Sequence, residues 1–178
     1  MNEVWNLDVI YKGFDDPAFA SDLEALKAQV AAFADLAQKL PAMEPAAGLK
    51  EGIRVQEKMN RLGMKLAEYA MLRQSANAAD PEAGSNIGKV MAVLSATAAS
   101  EAAFKDWASK LPNLMELVEA DETLKDYGFL FSKIARSSKY LMNGKAEAVM
   151  AKMQLSGGSA WSDLQQYLTS TVSVTYRG

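Results

Sequence analysis

Prolines placed beside helix-capping residues divide the first 110 residues into three long amphipathic segments. Asp16-Pro17 opens the first segment, Pro45 the second and Asp80-Pro81 the third. Aspartate at an N-cap with proline in the first turn is typical of a helix start. In the first segment apolar residues recur at alternating spacings of four and three, which is the stripe of an amphipathic helix. The pattern predicts long antiparallel helices over residues 17–40, 46–77 and 81–110, with shorter helices after Pro112.

The apolar and small residues predict how these helices pack. The second segment has two apolar stripes on different sides, so we expect it in the middle of a bundle. One stripe contains Leu49, Ile53, Met59, Leu62, Leu66 and Tyr69, and the other contains Met64, Ala67 and Met71. The third segment is rich in alanine, which favours helix and lets a neighbouring helix approach closely. Its alanines are Ala92, Ala96, Ala98, Ala99, Ala102 and Ala103. The ten methionines are interpreted as core filling.

Residues 155–178 differ from the rest of the chain. Gly157-Gly158 breaks the preceding helix, and a short helix follows. Its residues expected to point inward are Trp161, Leu164, Tyr167 and Leu168. Thr171–Tyr176 alternates polar and apolar residues in a β-branched run, which predicts a strand. No other segment reads as a strand, so this one has no ladder partner. We expect the chain to end within a hairpin of a longer protein, with weak self-association through the strand edge as one outcome.

Together these patterns predict an all-α fold, an antiparallel helical bundle with long helices plus one short C-terminal β-strand. Residues 1–178 divide into an irregular arm at 1–14, a helical body at 15–154, and a short helix with the terminal strand at 155–178. With 178 residues, of which 49% are apolar, the chain is long enough to bury a core of its own.

Charge and targeting signals narrow the partners and the location. The 19 basic and 22 acidic residues give a net charge of −3, which argues against a dedicated nucleic-acid binder. The N-terminus shows no secretory signal. The uncharged runs, such as Val90 to Ser100, are far shorter than the ~20 residues of a membrane span. We therefore predict a cytoplasmic protein with no nucleic-acid or membrane partner.

The chain contains no histidine and no cysteine. A zinc site would therefore need carboxylates alone, which is unusual, and the commonest general base is missing. The sequence predicts no catalytic residue, no cofactor-binding residue and no metal ligand within this chain.

Two motifs inside the third segment invite a functional interpretation. Gly84-Ser-Asn-Ile-Gly88-Lys89 resembles a phosphate loop, but it is one residue short and lacks the following Ser or Thr. Glycines for close packing are the favoured interpretation. Glu101 falls in the apolar stripe and could be an acid with a raised pKa. A partly exposed or paired glutamate is favoured.

Two charged clusters follow Pro112. Lys133, Arg136 and Lys139 share one helix face and could meet an anionic ligand, but a solvated face near a helix C-terminus is favoured. The acidic cluster of Glu119, Asp121 and Glu122 precedes a helix. Capping explains this cluster better than metal binding does.

Four segments in order resemble the N-terminal region of oligoendopeptidase F, a zinc peptidase of the thimet-oligopeptidase-like family. They are Trp5-Asn-Leu with Tyr11-Lys-Gly-Phe-Asp-Asp-Pro17, Tyr69-Ala-Met-Leu-Arg-Gln-Ser-Ala-Asn-Ala-Ala-Asp-Pro81, Ser138-Lys-Tyr-Leu-Met-Asn-Gly-Lys-Ala-Glu147, and Gly158-Ser-Ala-Trp-Ser-Asp-Leu. The resemblance covers essentially the whole chain. It departs from the family at Met142-Asn143, where Leu-Ser is usual.

The resemblance implies that this chain has a non-catalytic role. The family hydrolyses oligopeptides with a zinc-bound water, and its zinc-binding His-Glu-x-x-His lies in a downstream catalytic domain. No catalytic or metal-binding residue transfers to this sequence. The resemblance implies that the helices wall a channel over the zinc, with the protein's own C-terminal catalytic domain and oligopeptide substrates as partners. The alternative is a free-standing helical interaction module without enzymatic activity, and the reading frame after Gly178 distinguishes the two.

Overall fold

The computed structural model describes residues 6–77, 80–140, 149–150, 153, 157–158 and 160–171. It comprises two compact units, Met1–Ser138 and Lys139–Gly178. The helices of the first unit are α1 (Pro17–Lys39), α2 (Pro45–Ala76), α3 (Pro81–Ser95), α4 (Ala98–Ser109), α5 (Leu114–Ala120), α6 (Glu122–Lys125) and α7 (Gly128–Ser137). Short 3-10 turns occupy Leu40–Ala42 and Ser138–Tyr140, and the second unit contains α8 (Ala160–Thr171). The described part of the chain contains no strand, so its fold is all-helical.

Acidic caps followed by proline start the first three helices; the sequence predicts the caps Asp16 and Asp80, and the structure adds Glu44 before Pro45. Asp16 accepts a hydrogen bond from the Ala18 backbone N–H at 2.9 Å. The Glu44 carboxylate accepts two backbone N–H groups of the first turn of α2, at 3.0 and 2.7 Å. Asp80 accepts two at the start of α3, at 2.9 and 3.3 Å. These carboxylates satisfy donors that have no partner within the helix and lie at the positive end of its dipole.

The predicted third helix is interrupted and forms α3 and α4. At the interruption the Ala96 and Thr97 N–H groups bond to carbonyls three residues back, at 3.3 and 3.0 Å. The Thr97 hydroxyl also donates to the Leu94 carbonyl at 2.8 Å. A threonine hydroxyl bonded to the preceding turn competes with the helical ladder. The single helix predicted over 81–110 is therefore wrong in its middle.

The core of the first unit lies where α2 packs against α1 and α3. Helix α4 packs against α1 and α7, and α5 and α6 contact α2. Its largest fully buried side chains are Tyr11, Tyr69, Phe33, Phe104, Phe131, Leu26, Leu40, Leu49, Met59, Leu66, Leu124 and Val90. The first stripe predicted for α2 is thus confirmed, as is the central place of this helix. The second stripe is only partly confirmed, because Met64 and Met71 are exposed.

Two glycines of α2 receive aromatic rings from α4. A Cβ at Gly52 would lie 2.1 Å from Cε2 of Phe104, and one at Gly48 would lie 2.7 Å from Cη2 of Trp107. By contrast, a Cβ at Gly88 would meet no atom within 4 Å. The close-packing interpretation of the Gly84–Gly88 motif is therefore wrong, because both glycines are exposed on α3.

The alanine-rich side of α3 and α4 faces outward within this chain. All six predicted alanines are exposed, because the opposite side supplies Val90, Phe104 and Ala108 to the core. The expectation of a neighbouring helix on the alanine side is wrong for the described residues. On length and composition alone Pro81–Ser109 would suffice for one membrane span, and a core helix of a soluble protein passes the same test.

Two further expectations, the inward side chains of α8 and the methionines as core filling, are wrong for residues whose side chains are exposed. Trp161, Leu164 and Leu168 of α8 are exposed rather than inward, and a unit this small has little interior in which to bury them. Of the methionines, Met59 is buried. Met64, Met71, Met91, Met115, Met150 and Met153 are exposed, so core filling does not describe them. The predicted strand Thr171–Tyr176 lies outside the described residues except Thr171, which ends α8.

Candidate functional site

The N-terminal arm is anchored on α1 and α2 by a cluster of aromatic rings. Tyr11 is 1% exposed and meets Phe19 and Tyr69 edge-to-face, with ring centroids 5.2 and 5.1 Å apart. Phe14 makes the same kind of contact with both rings, at 5.4 and 5.3 Å. Edge-to-face pairs add to the free energy gained from burial. These contacts dock the arm on α1 and α2.

An ion pair closes over this cluster. The Tyr11 hydroxyl donates to Asp22 at 2.6 Å, and the Lys65 ammonium donates to the same carboxylate oxygen at 2.7 Å. Lys65 also lies 4.4 Å from the centroid of the Tyr11 ring. Lys65 and Tyr11 hold the pKa of Asp22 below its usual range. Burial and the neighbouring Asp22 raise the pKa of Tyr11 far above its usual value.

We expect stability to fall in acid as Asp22 becomes protonated. The folded-state pKa of Asp22 is lowered, so its contribution is complete above the unfolded pKa, near 3.9, and is lost as pH falls through the lower folded value. Thermal melts followed by circular dichroism from pH 7 to about pH 2 test this. The matched variant Asp22→Asn should lose less stability over that range. An equal loss in both proteins would show that other carboxylates govern the acid transition.

A cleft of about 480 Å³ separates the arm from the first turns of α3. It is lined by Phe14, Asp15, Pro81, Glu82, Ser85, Asn86 and Lys89. Asn86 is nearly buried, donates to the Glu82 carbonyl at 2.9 Å and accepts from Lys89 at 3.3 Å. The lining thus mixes both charges with amide and hydroxyl groups. It can hydrogen-bond a polar ligand such as a peptide backbone.

Arg73 joins the cleft to the aromatic cluster. Its guanidinium lies 5.3 Å from the centroid of the Phe14 ring and donates to the Tyr69 hydroxyl at 3.3 Å. It also pairs with Asp80 at 3.4 Å, the residue that caps α3. One side chain therefore ties the arm, α2 and α3 together. Neither Arg73 nor the Tyr11–Asp22–Lys65 network was predicted from the sequence, because their partners, apart from Tyr69, lie at least 7 residues away in the chain.

The charged residues singled out in the sequence take structural roles. The Glu101 carboxylate lies 3.0 Å from the Thr97 hydroxyl and accepts a hydrogen bond from Lys105 at 3.3 Å, which confirms a paired glutamate. Asp121 caps α6 through two backbone N–H groups and pairs with Lys50 at 2.7 Å. The capping interpretation is thus confirmed for Asp121. The Gly84–Lys89 motif lies within helix α3, and this rules out a phosphate loop.

The other described members of the two charged clusters are exposed to solvent. Glu119 and Glu122 are exposed. Lys133 and Arg136 are exposed on α7, as the solvated-face interpretation predicts, and the side chain of Lys139 lies outside the described residues. Within the described ranges, no group of three or more His, Cys, Asp or Glu residues could hold a metal ion.

The described residues form a helical domain with open polar clefts. The zinc implied by the resemblance does not fit this chain, which has neither histidine nor cysteine. Residues 111–173 match the Peptidase_M3_N family model, described as Oligopeptidase F.

The match confirms the resemblance to the N-terminal region of this metallopeptidase family over α5–α8. It includes the resembling segments at 138–147 and 158–164, while those at 5–17 and 69–81 lie outside it. Their assignment to the family stays a prediction. No curated protein and no solved structure matches the chain.

Proposed function

We propose that this chain is the N-terminal helical part of a zinc metalloendopeptidase and walls the channel through which oligopeptides reach the zinc. The observation that carries the proposal is the oligopeptidase F family match at residues 111–173. The chain itself is non-catalytic, and its partners are its own C-terminal catalytic domain and oligopeptide substrates. Zinc belongs to that catalytic domain. A cytoplasmic location accords with the lack of cysteines.

Two features of the first unit support a walling role. The aromatic rings of α4 pack closely against glycines of α2. This packing makes the helices a stiff wall, because well-packed interiors resist deformation. The cleft beside the arm offers hydrogen-bonding groups of both charges without a deep apolar pocket. Such a surface can contact peptides of varied sequence weakly, as a channel wall must if products are to leave.

Oligopeptide binding tests the walling role. We expect unstructured oligopeptides to shift NMR resonances of cleft residues such as Ser85 and Asn86 weakly and saturably, and a folded protein of similar charge to shift none. The variant Asn86→Ala, in the cleft, should weaken the shifts. The control variant Glu116→Gln, away from the cleft, should leave them unchanged. Absence of any peptide-induced shift would contradict the proposal. Tight binding of a folded protein would favour the interaction module instead.

We also expect the isolated chain to neither bind zinc tightly nor cleave peptides. The physical reason is that carboxylates alone form poor zinc sites and that histidine is absent. Equilibrium dialysis with zinc and hydrolysis of a quenched fluorescent peptide measure the two properties. A stoichiometric tight zinc site, or turnover that persists after repurification, would show that the chain carries chemistry of its own.

A further inference from the structure

A second groove, formed by α1 and α2, concentrates positive charge. Its volume is about 270 Å³. The groove is lined by Gln29, Arg54, Glu57, Lys58, Arg61 and Leu62. The three cations recur at spacings of four and three along α2, so they share one helix face. All six lining residues lie outside the family match at residues 111–173 and outside the aromatic cluster.

Two of the three cations form no ion pair with any residue that the structure describes. Arg54 pairs with Glu51 through its guanidinium. Lys58 and Arg61 have no carboxylate within 4.0 Å among the described residues. Lys58 contributes at longer range to lowering the pKa of Glu51. The groove therefore presents two adjacent cations whose charge the described residues leave largely unneutralised.

A hydrogen bond from the start of α7 explains why Arg61 does not pair with the nearby Glu57. Glu57 precedes Arg61 by four residues, the spacing and order at which Glu and a cation pair best on a helix. Instead, the Tyr127 hydroxyl, at the start of α7, donates to the Glu57 carboxylate. This bond raises the pKa of Tyr127 above its usual value. Tyr127 thereby draws Glu57 away from Arg61.

We propose that this groove is a binding site for an oxyanion, the phosphate or carboxylate group of a small anionic ligand. The Arg61 guanidinium can form two parallel hydrogen bonds to such a group, and Lys58 supplies a point charge beside it. The amide of Gln29 is a further donor. Tyr127 is a positioning residue that acts through Glu57. The proposal is independent of the peptidase assignment.

NMR of the arginine side chains tests the site directly. Inorganic phosphate and succinate are titrated separately into the full chain, with sodium chloride at equal ionic strength as the blank. We expect saturable shifts of the Arg61 and Arg54 Nε–H resonances, while those of Arg73 and Arg136 stay unchanged. Saturation with only one anion identifies whether phosphate or carboxylate is the ligand group. Linear, uniform shifts of all four arginines would overturn the proposal.

Variants separate a site from general surface charge. Arg61→Gln should weaken phosphate or succinate binding about tenfold, the effect of one charge-assisted hydrogen bond. Arg136→Gln, which removes the same charge from α7, should leave affinity unchanged, and equal weakening by both variants would overturn the site. Tyr127→Phe frees Glu57 to pair with Arg61 and should also weaken binding, with melting curves confirming the fold. Unchanged affinity in that variant would refute the positioning role.

Discussion

Gly52→Ala is expected to lower the free energy of unfolding by about 1–3 kcal/mol, although alanine is the better helix former. The added Cβ would lie 2.1 Å from Cε2 of Phe104, and that ring is 1% exposed and packs beside Phe33. The ring cannot swing into solvent, so α4 must move or the core must distort. Urea denaturation followed by circular dichroism measures the change.

Gly88→Ala is the matched control for this prediction. It makes the same substitution in a helix where the new methyl group meets nothing within 4 Å. Stability should therefore rise, by about 0.5–1 kcal/mol, because alanine restricts the unfolded chain and favours helix. Phe104→Leu in the Gly52→Ala background should recover part of the loss. If Gly52→Ala stabilised the protein as much as Gly88→Ala, the close contact between α2 and α4 would be refuted.

Tyr11→Ala is expected to cost about 3–5 kcal/mol, the range for removing a buried aromatic side chain. The substitution deletes the ring that links Phe19 to Tyr69 and removes the hydroxyl partner of Asp22. Tyr11→Phe keeps the ring and removes only the hydrogen bond, so it should cost about 0.5–1.5 kcal/mol. Denaturant unfolding of both variants separates the two contributions.

The relative stability losses of Tyr11→Ala and Tyr11→Phe test whether ring packing anchors the arm. A small loss in Tyr11→Ala would mean that the arm contributes little to the fold. Equal losses in Tyr11→Ala and Tyr11→Phe would assign the effect to the hydrogen bond with Asp22 and not to ring packing. Either result would contradict the aromatic anchor. Lys65→Gln offers an independent check, because it removes the second partner of Asp22 and leaves every ring in place.

Local chemistry made most of the helical framework predictable. The starts of α1, α2 and α3 follow from an acidic residue beside a proline, whose effects act within one turn. The inward stripe of α1 follows from spacing alone, and Phe19, Leu26, Phe33 and Leu40 are all buried. The pairing of Glu101 and the capping by Asp121 were equally predictable, because their main partners lie within four residues.

Long-range contacts decided the rest. Gly52 and Gly88 are both glycines inside helices and cannot be told apart in the sequence. Of the two, Gly52 contacts an aromatic ring and Gly88 does not. The sequence does not specify which side of α2 packs against α4. The cationic groove also depends on a contact between residues distant in the chain. A stripe of Arg54, Lys58 and Arg61 is visible in the sequence. Its unpaired state depends on Tyr127, which lies 70 residues from Glu57.

The sequence by itself determined that this chain is helical, where its long helices begin, and that histidine and cysteine chemistry is excluded. These properties depend on residue identity and on interactions within a turn or two of helix. Only the tertiary structure decided that the alanine-rich side of α3 and α4 faces outward, that Tyr11 anchors the arm, and that Arg61 has no ion pair among the described residues. Each of these depends on which helix surfaces meet, and that is set by the packing of side chains distant in the chain.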